Sequence, residues 1–235
     1  MNQHALLGAL APMNITFSHM QLEQLAAYAR LLREWNQNIN LTAITDPKAI
    51  AVSHFADSLS VLSVVEIKKN ASIIDVGTGA GFPGLPLKIA RPDLALTLLD
   101  SNNKKLLFLR EVVDQLGLTG VTLVHDRAET AAKTALRERF DIAAARAVAP
   151  LNQLAEYTLP FVRAGGCFLA LKGPKAAEEI AQAQNAITQL GGRFEANFAV
   201  NLQDTVERRI ICVKKISQTP TQYPRPFAKI AKSPL

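Results

Sequence analysis

Cysteine and tryptophan are scarce, with two and one among 235 residues. Cys167 and Cys212 lie inside apolar, strand-like runs, where reduced thiols packed in a core are the ordinary expectation. They have no metal-ligand spacing with each other or with His4, His19, His54 and His125, so neither a disulfide nor a zinc site is expected. No apolar run approaches the ~18 residues of a membrane span, and the N-terminus lacks a basic segment followed by an apolar one. The protein is therefore expected to be cytoplasmic, without a membrane partner. Acids are missing from the C-terminal end. From Arg208 onward there are seven basic residues and none acidic, against 19 basic and 20 acidic before it. A neutral body with a positive end points to a polyanion partner, the plain alternative being a solvated tail.

What is present is organised around Ser72 to Leu87. Ile73 and Ile74 lead into Asp75 and Val76, and glycines follow at 77, 79, 81 and 84 before apolar residues resume at Leu85. That pattern predicts a strand, a sharp turn and a helix start, with Gly77, Gly79 and Gly81 leaving room above the backbone for a bulky ligand. Two ligands compete. Gly79-x-Gly81-x-x-Gly84 matches the dinucleotide fingerprint of an NAD-dependent oxidoreductase. Asp75-x-Gly77-x-Gly79-x-Gly81 instead places a carboxylate at the strand's end. That charge repels a pyrophosphate but suits the ammonium and sulfonium of S-adenosylmethionine.

The remaining chain reads as one α/β domain with extensions. Ser18 caps a helix carrying Leu22, Leu25, Ala29, Leu32 and Trp35 at helical spacing, and Asp46-Pro47 starts another. In that second helix His54, Asp57 and Ser58 share a face, where capping and a structural His54–Asp57 hydrogen bond are favoured over a role at the substrate site. From Ile73 onward strand and helix alternate, which argues for a parallel sheet. The second strand, Leu94 to Leu99, ends in Asp100, placed to accept hydrogen bonds from a cofactor ribose. A helix follows from Asn102 to Gln115 with Gly117 at its end. The strand Val121 to His125 runs into Ala128 and Glu129, and Glu129 is also suited to the first turn of the next helix. The strand from Phe140 closes with Arg146 at the carboxyl edge, where a site residue is preferred to a surface ion pair. A helix is expected from Pro150 to Arg163, a turn at Gly165-Gly166 and a strand from Cys167 to Leu171. Lys172 then faces either a substrate phosphate or solvent. After a helix from Lys175 to Leu190, strands from Phe194 to Val200 and Arg208 to Lys214 end the domain, the last antiparallel. The tail from residue 216, with four prolines, Tyr223 and Phe227, is expected to remain non-helical and to meet RNA through Arg225, Lys229 and Lys232.

Asp-Val-Gly-Thr-Gly-Ala-Gly-Phe-Pro-Gly resembles the first motif of class I methyltransferases, and its Phe-Pro-Gly continuation resembles the RsmG family (glucose-inhibited division protein B), the 16S ribosomal RNA guanine 7-methyltransferases. Trp35 to Thr42, His54-x-x-Asp57-Ser58, Ala170-Leu-Lys-Gly173, and the Tyr-Pro-Arg and Lys-x-Pro-Leu of the tail are similar to the same family. The resemblance implies a class I (Rossmann-like) α/β fold with a seven-stranded, mostly parallel sheet and helices on both faces. Residues 1–70 would form an N-terminal helical extension, 71–215 the S-adenosylmethionine domain and 216–235 a basic tail. It also implies donor contacts from Gly77, Phe82, Ala128, Glu129 and Arg146. The partner would be 16S ribosomal RNA or the small ribosomal subunit, met by a monomer.

The chemistry agrees with two absences at the fourth strand. Arg146-Ala-Val-Ala-Pro replaces the Asn/Asp-Pro-Pro-aromatic loop of amino-group methyltransferases, and no cysteine nucleophile is present. Guanine nitrogen 7 needs neither, since its in-plane lone pair carries no proton. The catalytic contribution is then positioning, with Arg146 and Lys172 as candidates. An NAD-dependent oxidoreductase would want a proton-donating His or Tyr near the fourth or fifth strand, and none is expected there. A non-catalytic RNA-binding protein on the same fold is the other alternative.

Overall fold

The computed structural model describes residues 3–11, 15–202 and 207–235. The strands are β1 Ser72–Val76, β2 Ala95–Asp100, β3 Val121–His125, β4 Phe140–Arg146, β5 Val162–Lys172, β6 Gly192–Val200 and β7 Arg208–Lys215. They form one sheet in the order β3-β2-β1-β4-β5-β7-β6. Pairings among β1 to β5 are parallel, while β7 is antiparallel to both β5 and β6. Strand order reverses between β1 and β4, which opens a crevice at their carboxyl ends.

Helices α1 Gln3–Leu10, α2 His19–Trp35, α3 Pro47–Ile50, α4 Asp57–Leu59 and α5 Val61–Val64 precede the sheet, and Ala51–Ala56 winds as a π-helix between α3 and α4. Helices α6 Gly84–Ala90, α7 Asn103–Gln115, α8 Ala128–Ala131, α9 Leu151–Thr158, α10 Ala176–Gln189 and α11 Phe227–Lys232 complete the fold. None among the described residues is long and apolar enough to cross a membrane. Local chemistry sets several starts. Ser18 and Gln21 close a capping box on α2, Asp46 accepts the Ala49 N–H at 2.8 Å, and Asn102 accepts that of Lys104.

Because side chains alternate along a strand, each strand feeds two cores. Ile73, Leu96, Leu98, Ile142 and Leu169 pack against the N-terminal helices, α6 and α7. Ile74, Val76, Leu99, Ala143 and Phe168 pack against α9, α10 and the C-terminal segment. Tyr28 of α2 sits in the first core against Phe55, Phe82 and Phe108, so the N-terminal helices are continuous with the sheet's packing.

Three expectations change. The helix after Pro150 stops at Thr158, because Pro160 lacks an N–H, and a 3₁₀ turn over Leu159–Phe161 follows. Gly165-Gly166 is not a turn between elements but a register irregularity inside β5, which already pairs Val162 with Phe140. The tail does form a helix, α11, since Phe227 to Lys232 contains no proline and fully buries Ile230 in the second core. Arg137 fastens that segment by donating to the Tyr223 and Thr219 carbonyls at 2.8 and 2.7 Å. The positive end is partly internal: Lys215 is buried against the Leu159 carbonyl at 2.7 Å, and Arg225 pairs with Glu156.

Candidate active site

Two clefts meet at the carboxyl edge of β1 and β4. The first, of about 280 Å³, is lined by Gly77, Asp100, Ala128, Glu129, Val148, Tyr157 and Phe227 among others. The turn that floors it is hooked to β2, with the N–H groups of Gly77 and Thr78 donating to the Leu99 carbonyl at 2.9 and 3.1 Å. Gly77 adopts φ +67°, a backbone conformation that favours glycine, and a Cβ there would lie 2.8 Å from a methyl of the exposed Val148. Asp100 aims into this cleft from the end of β2. Its Oδ2 accepts the Gly79 N–H at 2.9 Å and Oδ1 the Asn102 N–H at 2.8 Å, which orients the carboxylate while leaving each oxygen a lone pair.

Asp75 does not meet that cleft. It is fully buried on the opposite face of β1, where Oδ2 accepts the Thr78 hydroxyl at 2.7 Å and the Gly84 N–H at 2.9 Å. Burial raises its pKa to about 6. The expected contact with the donor's positive groups is replaced by a staple between the turn and α6. Gly81 belongs with it: at φ +94°, the place of its missing Cβ lies 2.5 Å from the Tyr28 hydroxyl, so the space it leaves is filled by α2 rather than by a ligand. Phe82 is also behind the turn. Its ring stacks with Tyr28 at 5.2 Å and His54 at 4.7 Å, and the Arg146 guanidinium lies 5.0 Å from its centroid.

The second cleft, of about 410 Å³, is lined by His54, Asp57, Arg146, Lys172, Glu179 and Arg208, and it shares Ala147 with the first. Ala147 holds φ +55°, a left-handed conformation uncommon for a residue with a Cβ, immediately after β4, where the chain passes between the clefts. Arg146 reaches into the second cleft. NH1 donates to the Ser53 carbonyl at 2.8 Å and Asp57 Oδ2 at 2.9 Å, and NH2 lies 3.2 Å from His54 Nδ1. Arginine has no acceptor, so Nδ1 must accept and Nε2–H must donate to Thr42 Oγ1, 2.8 Å away. Burial and then the Arg146 charge lower the His54 pKa to about 4. The favoured His54–Asp57 hydrogen bond is replaced by this arrangement, with both side chains turned to Arg146. The π-helical turn containing Ser53 and His54 presents that carbonyl and ring together. Lys172 donates to the Ala149 carbonyl at 2.6 Å and lies 2.6 Å from Glu179 Oε2.

Ala128, Glu129, Gly77 and Asp100 are therefore brought together at the first cleft, Arg146 and Lys172 at the second, and Gly79 beside Asp100. Arg225 is elsewhere, committed to Glu156, whereas Lys229 and Lys232 are exposed. Sequence pattern missed Tyr157, Glu179 and Arg208, favoured a structural role for Asp57 and placed Phe227 in the RNA-binding tail. Tyr157 and His54 are also a tyrosine and a histidine near β4, where none was expected. Only Asp57 carried a signal, its shared helical face with His54.

Tyr157 lines the first cleft, and its buried Oη has no hydrogen-bond partner among the described residues. An open sheet with this reversal, a glycine turn after β1, an acid ending β2 and an antiparallel β7 inserted before β6 define a class I S-adenosylmethionine-dependent methyltransferase. The fold likeness agrees: a SAM-dependent methyltransferase from Aquifex aeolicus aligns with TM-score 0.54 at 18% identity, over 73% of this chain and 94% of that one. The family model GidB, rRNA small subunit methyltransferase G, matches residues 21–211, and the chain belongs to that family. Ribosomal RNA small subunit methyltransferase G of Clostridium beijerinckii is 48% identical over 223 residues, 94% of this chain and 93% of that protein. The protein of the same name from Alkaliphilus metalliredigens is 49% identical over 217 residues, 92% of this chain and 91% of its own.

Proposed function

We propose that this enzyme moves the methyl group of S-adenosylmethionine to ring nitrogen 7 of a guanine in 16S ribosomal RNA. The observation that carries the choice of acceptor is the state of the second cleft. His54 is held neutral with Nδ1 facing Arg146, Arg146 cannot deprotonate, and Lys172 and Asp57 are paired, so none of these four is set to take a proton as a catalytic base. Guanine nitrogen 7 requires none. S-adenosylmethionine supplies an electrophilic methyl on sulfur, and holding it in line with the nitrogen lone pair can contribute about 7 to 11 kcal/mol.

The residues divide the work. Asp100 accepts the ribose hydroxyls, the Gly77 turn admits the methionine portion, and Ala128, Glu129 and Tyr157 surround the adenine, with Phe227 at the mouth. Arg127 stabilises that mouth, its guanidinium 5.0 Å from the Phe227 ring centroid. Arg146 ties the π-helical turn to the end of β4 and so sets the wall against which the acceptor base rests. Lys229 and Lys232 meet the RNA backbone; Arg225, committed to Glu156, and Lys172, committed to Glu179 and the Ala149 carbonyl, do not. Titration calorimetry with S-adenosylmethionine and with NAD tests the donor: the first should bind and the second should not. NAD binding alone would return the chain to hydride chemistry.

A further inference from the structure

The two carboxylates of the second cleft are not equivalent. The Asp57 side chain is 7% exposed, its Oδ2 accepting from Arg146 at 2.9 Å and its Oδ1 lying at ion-pair distance, 3.5 Å, from Arg208 Nε without a hydrogen bond. Glu179 uses only Oε2, which lies 2.6 Å from Lys172 Nζ and accepts the Leu151 N–H at 2.8 Å. Its Oε1 makes no hydrogen bond among the described residues, and the side chain remains 23% exposed where it lines the cleft. The carboxylate is thus fixed from one side and open on the other. Lys172 and the start of α9 account for Oε2; they leave Oε1 unexplained.

We propose that Glu179 is the residue that selects the target base, by accepting hydrogen bonds from the 2-amino group and N1–H of guanine. This rests on the guanine acceptor proposed above. A pre-oriented carboxylate oxygen requires N–H donors, and among the four RNA bases guanine alone offers two adjacent ones on a single edge. Adenine has a bare N1 lone pair and no 2-amino group at that edge, so its lone pair would face the carboxylate. The geometry of guanine then supplies the orientation. Nitrogen 7 lies across the ring system from the 2-amino group, so a base anchored at Glu179 presents nitrogen 7 away from that wall. The donor cleft adjoins through Ala147. One contact therefore accounts for both which base is chosen and which of its atoms is exposed to the methyl group.

The test uses small ribosomal subunits reconstituted with 16S ribosomal RNA carrying either guanosine or inosine at the modified position. Inosine differs only by lacking the 2-amino group. Wild-type protein should show kcat/KM for guanosine about tenfold or more above that for inosine, the size expected for one hydrogen bond to a charged group. Glu179→Ala should bring the ratio close to one, with the S-adenosylmethionine Kd unchanged. Should the alanine variant fail to fold, Glu179→Gln keeps the shape and must narrow the ratio as well. A purely structural Glu179 would slow both RNAs alike and leave the ratio intact, which overturns the proposal. So does a wild-type ratio of one while 7-methylguanosine still forms; that result leaves the guanine acceptor standing. Absence of 7-methylguanosine from the wild-type reaction overturns the acceptor and this proposal together.

Discussion

Arg225→Ala should destabilise the fold, although sequence pattern placed Arg225 on RNA. Glu156 is fully buried, and its oxygens accept from Arg225 Nε at 2.9 and 3.1 Å, from NH2 at 2.7 Å and from the Arg225 backbone N–H at 2.7 Å. Removing one partner of a buried pair leaves an uncompensated charge and costs about 3 to 5 kcal/mol. The backbone N–H survives the substitution, and the Arg225 side chain is 13% exposed, so water can reach part of the gap. The lower end, about 3 kcal/mol, is expected, a large part of the ~5 to 15 kcal/mol that holds a domain together. Urea unfolding at constant m measures it. The double variant Arg225→Met with Glu156→Leu should recover much of the loss, because no charge is then left buried. RNA affinity, measured below the unfolding transition, should change little. A loss under about 1 kcal/mol, accompanied by weaker RNA binding, would refute the burial argument and return Arg225 to the RNA surface.

Asp100→Ala removes a charged acceptor worth about 1.5 to 3 kcal/mol, so the S-adenosylmethionine Kd by calorimetry should rise at least about tenfold; an unchanged Kd in a folded variant contradicts the ribose contact. Asp75 has a folded pKa of about 6, raised from 3.8 by burial, so its contribution to stability is complete below pH 3.8 and is lost as pH rises through about 6. Relative to wild type, Asp75→Asn should therefore gain about 3 kcal/mol between pH 4 and 7 in urea titrations, and a flat difference would show that Asp75 is not desolvated. His54 has the opposite sign: its pKa is lowered to about 4, so stability present above pH 6.5 is lost on acidification, and His54→Gln should remove that loss. Arg146→Lys keeps the charge but cannot reach Ser53, Asp57 and His54 together, so kcat should fall more than about tenfold with the donor Kd little altered; retained kcat would show that the fork is dispensable.

What was legible in the sequence was what local chemistry determines. Ser18, Asp46 and Asn102 announce helix starts within a few residues, and the glycine turn with Asp100 marks the crevice because one fold topology places them together. Asp75 was misread although a signal existed: alternation puts it on the Ile73 face, under α6 and away from the cleft. The long-range partners had no such signal. Glu156 meets Arg225 and Gly81 receives Tyr28 only through tertiary packing, and Tyr157 and Phe227 reach the donor cleft because α9 and α11 dock there. Glu179 lies in the first turn of α10, where acids are common, and only the fold brings Lys172 beside it.

Methyl transfer to guanine nitrogen 7 is tested most directly by incubating the purified protein with small ribosomal subunits and S-adenosylmethionine labelled on the methyl group, then digesting the RNA to nucleosides. The label should appear in 7-methylguanosine, with no other labelled nucleoside. Label in a methylated adenosine or cytidine, or none in RNA despite donor binding, would contradict the base-free mechanism and the acceptor alike.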